Sequence, residues 1–131
     1  TKQASLKTMG SVRHEEYVIV GGGIAGLFLA LALKRQLGVS AAVYEQATQY
    51  LEDCGGAIGM YPNGLRVVEW VAPDLLATLQ GMAVPYTVRK WYRSDGTLVC
   101  EGDEARFGSP PSMGIRRWRL QKALYDLCLK E

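Results

Sequence analysis

The chain has 131 residues, 48% apolar and 21% charged, and 15 lysines and arginines against 13 acidic residues leave a net charge of +2. That length holds one domain around one modest core, and the near-neutral balance, without a lysine/arginine block, excludes a nucleic-acid partner held by charge. Cys54, Cys100 and Cys128 are odd in number and lack metal-ligand spacing, so they read as free thiols of a reducing compartment.

In chain order, residues 1–16 are polar and aperiodic and are expected to be a disordered leader. The single histidine, His14, lies there, so no metal site and no histidine-based catalysis is expected. Tyr17–Val20 reads as a buried strand. Gly21, Gly23 and Gly26 follow with the spacing G-x-G-x-x-G, and a helix is predicted from Ile24 to Leu37 with Gly38 as its stop. Gly21 permits the tight turn, Gly23 lets the backbone approach a pyrophosphate, and Gly26 lets helix and strand pack closely. Phosphates are favoured at the start of that helix by its unpaired N–H groups and its dipole. A second strand, parallel to the first, is expected over Val39–Glu45. Its closing acid, Glu45, stands nineteen residues after Gly26, where a carboxylate accepts hydrogen bonds from a ribose and disfavours a 2′-phosphate.

The uncharged run Tyr17–Leu33 spans roughly 25 Å as a helix, short of the ~30 Å hydrocarbon core, so no membrane segment is expected. Residues 46–61 read as a loop bearing Gly55, Gly56 and Gly59. Short helices are predicted from Pro62 to Val71 and from Leu75 to Gln80, the latter stopped by Gly81. Thr87–Arg93 alternates, turns at Ser94–Thr97 and returns over Leu98–Cys100 as a hairpin. Residues 101–113 read as a loop, and Arg119–Lys130 as an amphipathic helix with Leu120, Leu124, Leu127 and Cys128 on one face.

Three segments together resemble the FAD-dependent aromatic-hydroxylase-type monooxygenases, the flavoproteins related to p-hydroxybenzoate hydroxylase. They are the glycine fingerprint with Glu45, the stretch Gly55–Arg66 with its Pro62-Asn63 helix start, and Gly114–Leu124. The wording around Trp91–Gly96 and Arg116–Leu120 is similar to fungal secondary-metabolism members. The resemblance covers Tyr17 to Lys130 and implies a fold: an α/β chain that is the N-terminal part of a Rossmann-like FAD/NAD(P)-binding fold. A small β-hairpin insertion interrupts it, and its sheet is incomplete within this chain. Residues 17–131 are then a partial FAD-binding domain, since family members are several times longer. The resemblance also implies that Arg117, three residues before Leu120, approaches the cofactor, with Gln121 matching a polar residue on the following helix. Arg116 and Arg119 compete for that register.

The implied activity of the intact protein is hydroxylation or epoxidation of a small organic substrate with FAD, O₂ and NAD(P)H as electron donor, in an intracellular, cytoplasmic setting. Membrane association through a downstream segment stays open. The expected cofactor-binding residues are Gly21, Gly23, Gly26, Glu45, Arg117 and Gln121; no catalytic acid or base is assigned, and the segment alone is expected to be inactive. Two alternatives stand beside this: an NAD-binding module of a dehydrogenase or reductase, and a non-catalytic truncated remnant. Cys54, Trp70, Trp91 and Trp118 read as structural, and for Arg66 a solvated or salt-bridged role and a functional one both stay open.

Overall fold

The computed structural model describes residues 14–49 and 53–131. The expected leader, residues 1–16, lies for the most part outside the described residues. β1 (Val18–Val20), α1 (Ile24–Leu37) and β2 (Ala42–Tyr44) form the strand–helix–strand unit, its strands parallel with Val18 opposite Ala42 and Val20 opposite Tyr44. β2 starts later than Val39 because the helix uses the residues before it. Gly38 turns left-handed at φ 70°, its N–H donating to the Lys34 carbonyl and that of Val39 to the Leu33 carbonyl.

β1 was expected to be buried and is not: Val20 is 89% exposed, and Val18 and Tyr44 are about half exposed. Alternation decides which side is covered. Ile19 faces α1, its Cγ2 beside Gly26, and that leaves Val18, Val20 and Tyr44 on the solvent face. Parallel sheets normally carry elements on both faces, and here one face is bare.

The chain continues through β3 (Ala57–Met60), α2 (Pro62–Val71), α3 (Pro73–Met82), β4 (Val84–Pro85), β5 (Val88–Tyr92), β6 (Leu98–Asp103), a 3-10 turn (Ala105–Phe107), β7 (Met113–Arg116) and α4 (Arg117–Cys128). Both stretches read as loops from the sequence therefore hold strand. β3 lies inside residues 46–61, while β6 runs on to Asp103 and β7 opens at Met113. β3 and β7 pair with each other, Ala57 opposite Arg116 and Met60 opposite Met113, and β4 joins the far edge of β7. Their partners are distant in sequence, so no local pattern marks them. The hairpin β5–β6 forms as read, its turn closed by the Thr97 N–H donating to Asp95 Oδ1 at 2.9 Å.

Pro62 and Pro73 open α2 and α3 at first-turn positions, where no N–H is needed. α3 does not stop at Gly81; burial of Leu75, Leu76 and Leu79 carries it to Met82, with Ala83 as cap. α4 starts at Arg117, two residues earlier than read. One core results. Leu65, Val68, Val71 and Ala72 of the α2 side and Leu75, Leu76 and Leu79 of α3 meet Leu120 and Leu124 of α4, Leu27 and Leu31 of α1, and Met113 and Ile115 of β7. At its rim Arg35 of α1 bridges Asp74 (2.5 Å) and Glu131 (2.7 Å), and that guanidinium draws the Asp74 carboxyl down to about 2.

Leu79 is fully buried, so Leu79→Ala is expected to cost about 2–5 kcal/mol in a denaturant melt. Val20→Thr, on the bare face, is expected to leave the melt within about 0.5 kcal/mol of the parent while lowering self-association in sedimentation. A Val20→Thr chain that melts as early as Leu79→Ala would show that this face is covered.

Candidate nucleotide site

The turn from β1 into α1 is built around a single close approach. Gly21 sits at φ 107°, a conformation L side chains rarely adopt, and its N–H donates to the Tyr44 carbonyl at 2.7 Å, extending the β1–β2 pairing by one bond. A Cβ on Gly26 would run into the Gly21 carbonyl oxygen and come within 3.2 Å of Ile19 Cγ2. Glycine at position 26 is therefore a steric requirement of helix-to-strand contact, and glycine at position 21 a requirement of the positive-φ turn. Gly23 differs: it is the N-cap of α1, and a Cβ there would meet nothing within 4 Å. No side chain caps this helix start and its first turn carries no acid, which leaves open backbone of the kind that holds an anion.

Gly22, buried between them, is gripped from two elements. Its N–H donates to Glu45 Oε2 at 2.7 Å, and its carbonyl accepts from Gln121 Nε2 at 3.0 Å. The other Glu45 oxygen accepts the Ala47 N–H at 2.9 Å. These N–H donors, Ala47 first and Gly22 second, hold the exposed Glu45 carboxyl below its ordinary range. Glu45 thus ends β2 at the mouth of the glycine turn. A cleft of about 750 Å³ opens beside it between α1, β2 and α4, lined in part by Ala30, Leu31, Val43 and Tyr125.

Arg117 falls in a second group. Its N–H donates to the Gly56 carbonyl at 3.0 Å, and its side chain lies against Gly55, with Cδ 3.7 Å from where a Cβ would sit. Of its competitors, Arg119 stacks 5.4 Å over the Trp118 ring and Arg116 ends β7 opposite Ala57. Arg117 and Gln121 are one helical turn apart on α4 and share a face. The structure therefore brings Gly21, Gly23, Gly26, Glu45 and Gln121 together and joins them through α4 to Gly55, Gly56 and Arg117. Arg66 donates to the Phe107 carbonyl at 3.4 Å on the exposed side of α2.

Sequence reasoning missed one cluster. Glu104 is 5% exposed, pairs with Arg89 at 2.8 Å and accepts the Ser112 hydroxyl at 3.3 Å. The Arg89 guanidinium lies 4.8 Å from the Tyr61 ring centroid and 5.4 Å from that of Trp91. Tyr86 bonds Tyr61, and burial raises its phenol. This cluster fastens the hairpin to the β3–β7 sheet. Nothing in the sequence distinguishes Glu104 from a solvated loop acid. Among the described residues no group of His, Cys, Asp or Glu could hold a metal ion, and no helix is long and apolar enough to cross a membrane.

Residues 19–79 match the NAD(P)-binding Rossmann-like domain family. Over 117 residues the chain is 48% identical to an FAD-dependent monooxygenase of Penicillium crustosum, covering 83% of this chain and 23% of the relative. Over 125 residues it is 31% identical to a 3-amino-4-hydroxybenzoate 2-monooxygenase of Streptomyces platensis, covering 89% and 30%. Among solved structures, 2-methyl-3-hydroxypyridine-5-carboxylic acid oxygenase superposes with a TM-score of 0.72 at 26% identity, covering 87% of this chain and 29% of that one. The fold alone is shared with p-nitrophenol 4-monooxygenase of Pseudomonas putida, at a TM-score of 0.75 and 22% identity over 88% of this chain and 29% of that one. The matched parts of the chain cover between 14% and 30% of the length of these relatives and others like them.

Gly26→Ala is expected to cost about 1–3 kcal/mol by overpacking against Gly21, read by thermal melting. The Glu45 carboxyl is held low in the fold, so its grip on Gly22 is complete at neutral pH and is lost only as pH falls through that lowered value. Its carboxyl carbon, followed by NMR, is expected to titrate below a free glutamate, with the Gly22 amide moving at the same midpoint. Titration at the ordinary glutamate value would contradict the grip.

Proposed function

Given that this chain is a relative of the FAD-dependent monooxygenases, by sequence over most of its length and by fold, we propose that it holds the adenosine diphosphate half of FAD. It does so within a monooxygenase that hydroxylates or epoxidises a small organic substrate. The observation that carries this reading is the glycine turn. Gly23 and the start of α1 offer open backbone beside a carboxylate that closes β2, the pairing of anion donors and ribose acceptor that a dinucleotide needs. FAD is favoured over NAD because Arg117, Gly55 and Gly56 form a second group on the same face of α4, where a longer cofactor reaches. Glu45 disfavours a 2′-phosphate at this position, and NAD(P)H is assigned the separate role of electron donor.

In this reading Gly21 and Gly26 fix the turn, Gly23 and the first turn of α1 bind the pyrophosphate, Glu45 accepts from the ribose, and Arg117 orients the far end. Bound FAD supplies the redox chemistry. No proton-transfer step is assigned to these residues; their work is binding and orientation. The free thiols of Cys54, Cys100 and Cys128 support placing the protein in the cytoplasm.

Titration of the folded chain with ADP, FAD, FMN, NAD and NADP, read by calorimetry, tests this. ADP and FAD are expected to compete for one site, FMN not to compete, and NADP to bind more weakly than NAD. Arg117→Ala is expected to weaken FAD roughly tenfold, or about 1.4 kcal/mol, and to leave ADP unchanged. A folded chain that takes up neither ADP nor FAD at saturation, or that prefers FMN to ADP, would overturn the reading.

A further inference from the structure

The peptide between Gly22 and Gly23 is trans, like every described peptide except Ser109–Pro110. In a planar trans peptide the C=O and the following N–H point in opposite directions. Fixing the Gly22 carbonyl therefore fixes the direction of the Gly23 N–H. Gln121 Nε2 holds that carbonyl at 3.0 Å, which turns the Gly23 N–H away from α4 and toward the open backbone at the start of α1. The preceding peptide obeys the same rule. Glu45 takes the Gly22 N–H, so the Gly21 carbonyl points the other way, onto the helix at Gly26, where a Cβ would collide with it.

A tether on this peptide is needed because of its sequence. Rotating a peptide plane changes ψ of the residue before it and φ of the residue after it, and here both are glycine, for which most values are open. An unheld Gly22–Gly23 peptide turns over readily and presents a carbonyl oxygen where an anion has to sit. Glutamine suits the task. It donates without adding charge, and its place on α4 between the buried Leu120 and Leu124 fixes its origin against the core.

We propose that Gln121 is a positioning residue. By holding the Gly22 carbonyl it aims the Gly23 N–H at the pyrophosphate, and it acts through the glycine turn without touching the cofactor. This rests on the assignment of the turn to a pyrophosphate. It makes the anion site depend on a side chain 99 positions away from Gly22, so the site is complete only when α4 is docked.

The test uses the whole chain, labelled for NMR, with ADP and inorganic pyrophosphate as ligands. In Gln121→Met, which keeps the side chain's length and loses the donor, the Gly22 carbonyl and Gly23 amide resonances are expected to move in the ligand-free chain. Both ligands are expected to bind about tenfold more weakly, a loss of one hydrogen bond's order, with the melt little changed. In the parent chain, the scalar coupling across the hydrogen bond from Gln121 Nε2 to the Gly22 carbonyl carbon is expected to persist when ADP binds. That reading needs no variant to fold. Unmoved Gly22 and Gly23 resonances in Gln121→Met, or a coupling that vanishes on ADP binding because the side chain turns to the phosphates, would overturn the proposal and leave the functional reading standing. A parent chain that binds neither ligand would sink both.

Discussion

The rest of the structure hangs on the close contact between the Gly21 carbonyl and α1 at Gly26. Glu45 on the Gly22 N–H and Gln121 on the Gly22 carbonyl hold the chain there from outside the turn. One sits at the end of β2 and the other on α4, so strand pairing and helix docking converge on a single residue. Backbone hydrogen bonding of this kind leaves little latitude, since a trans peptide aimed at one partner has its other end aimed too. The open helix start is thus a consequence of how the strand–helix–strand unit closes.

The core explains why α4 can serve as the second jaw. Leu120 and Leu124 pack among Leu27 and Leu31 of α1 and Leu75, Leu76 and Leu79 of α3, which fixes the height and rotation of the helix over the turn. From that one platform Gln121 reaches Gly22 while Arg117 lies on Gly55. The two groups of the candidate site are rigidly spaced because both are carried by one buried helix. By contrast the outer face of β1 and β2 is bare, and the hairpin is fastened mainly through Arg89, Tyr61 and the buried Glu104. The β1–β2 sheet has two strands, and the parts of this chain that match its relatives cover 14–30% of their length.

What was legible in the sequence follows contact distance. The strand, the glycines, the helix and its Gly38 stop are local, and α1 falls where the pattern put it, from Ile24 to Leu37. Glu45 was legible because one strand–helix–strand unit fixes its distance from the turn. α2 and the hairpin were legible from Pro62 and from Ser94–Thr97. β3 and β7 were not, because each is four residues long, carries glycine, and exists only by pairing with the other. The exposure of Val20 ran against its composition, since burial depends on what covers a face and not on the residues in it. Glu104 was invisible for the opposite reason: a charged residue is buried here only because Arg89 and Ser112 meet it. Gln121 was singled out through resemblance, as a cofactor contact; its hydrogen bond to the Gly22 carbonyl needed coordinates.

The most direct test of the central claim is a map of backbone amide shifts in the labelled chain as ADP is added. The expected shifts cluster on Gly21–Gly26 and on the residues flanking Glu45, with β5 and β6 silent. Shifts confined to the hairpin, or a glycine turn that stays unmoved at saturation, would contradict the claim that this turn holds the pyrophosphate of a dinucleotide.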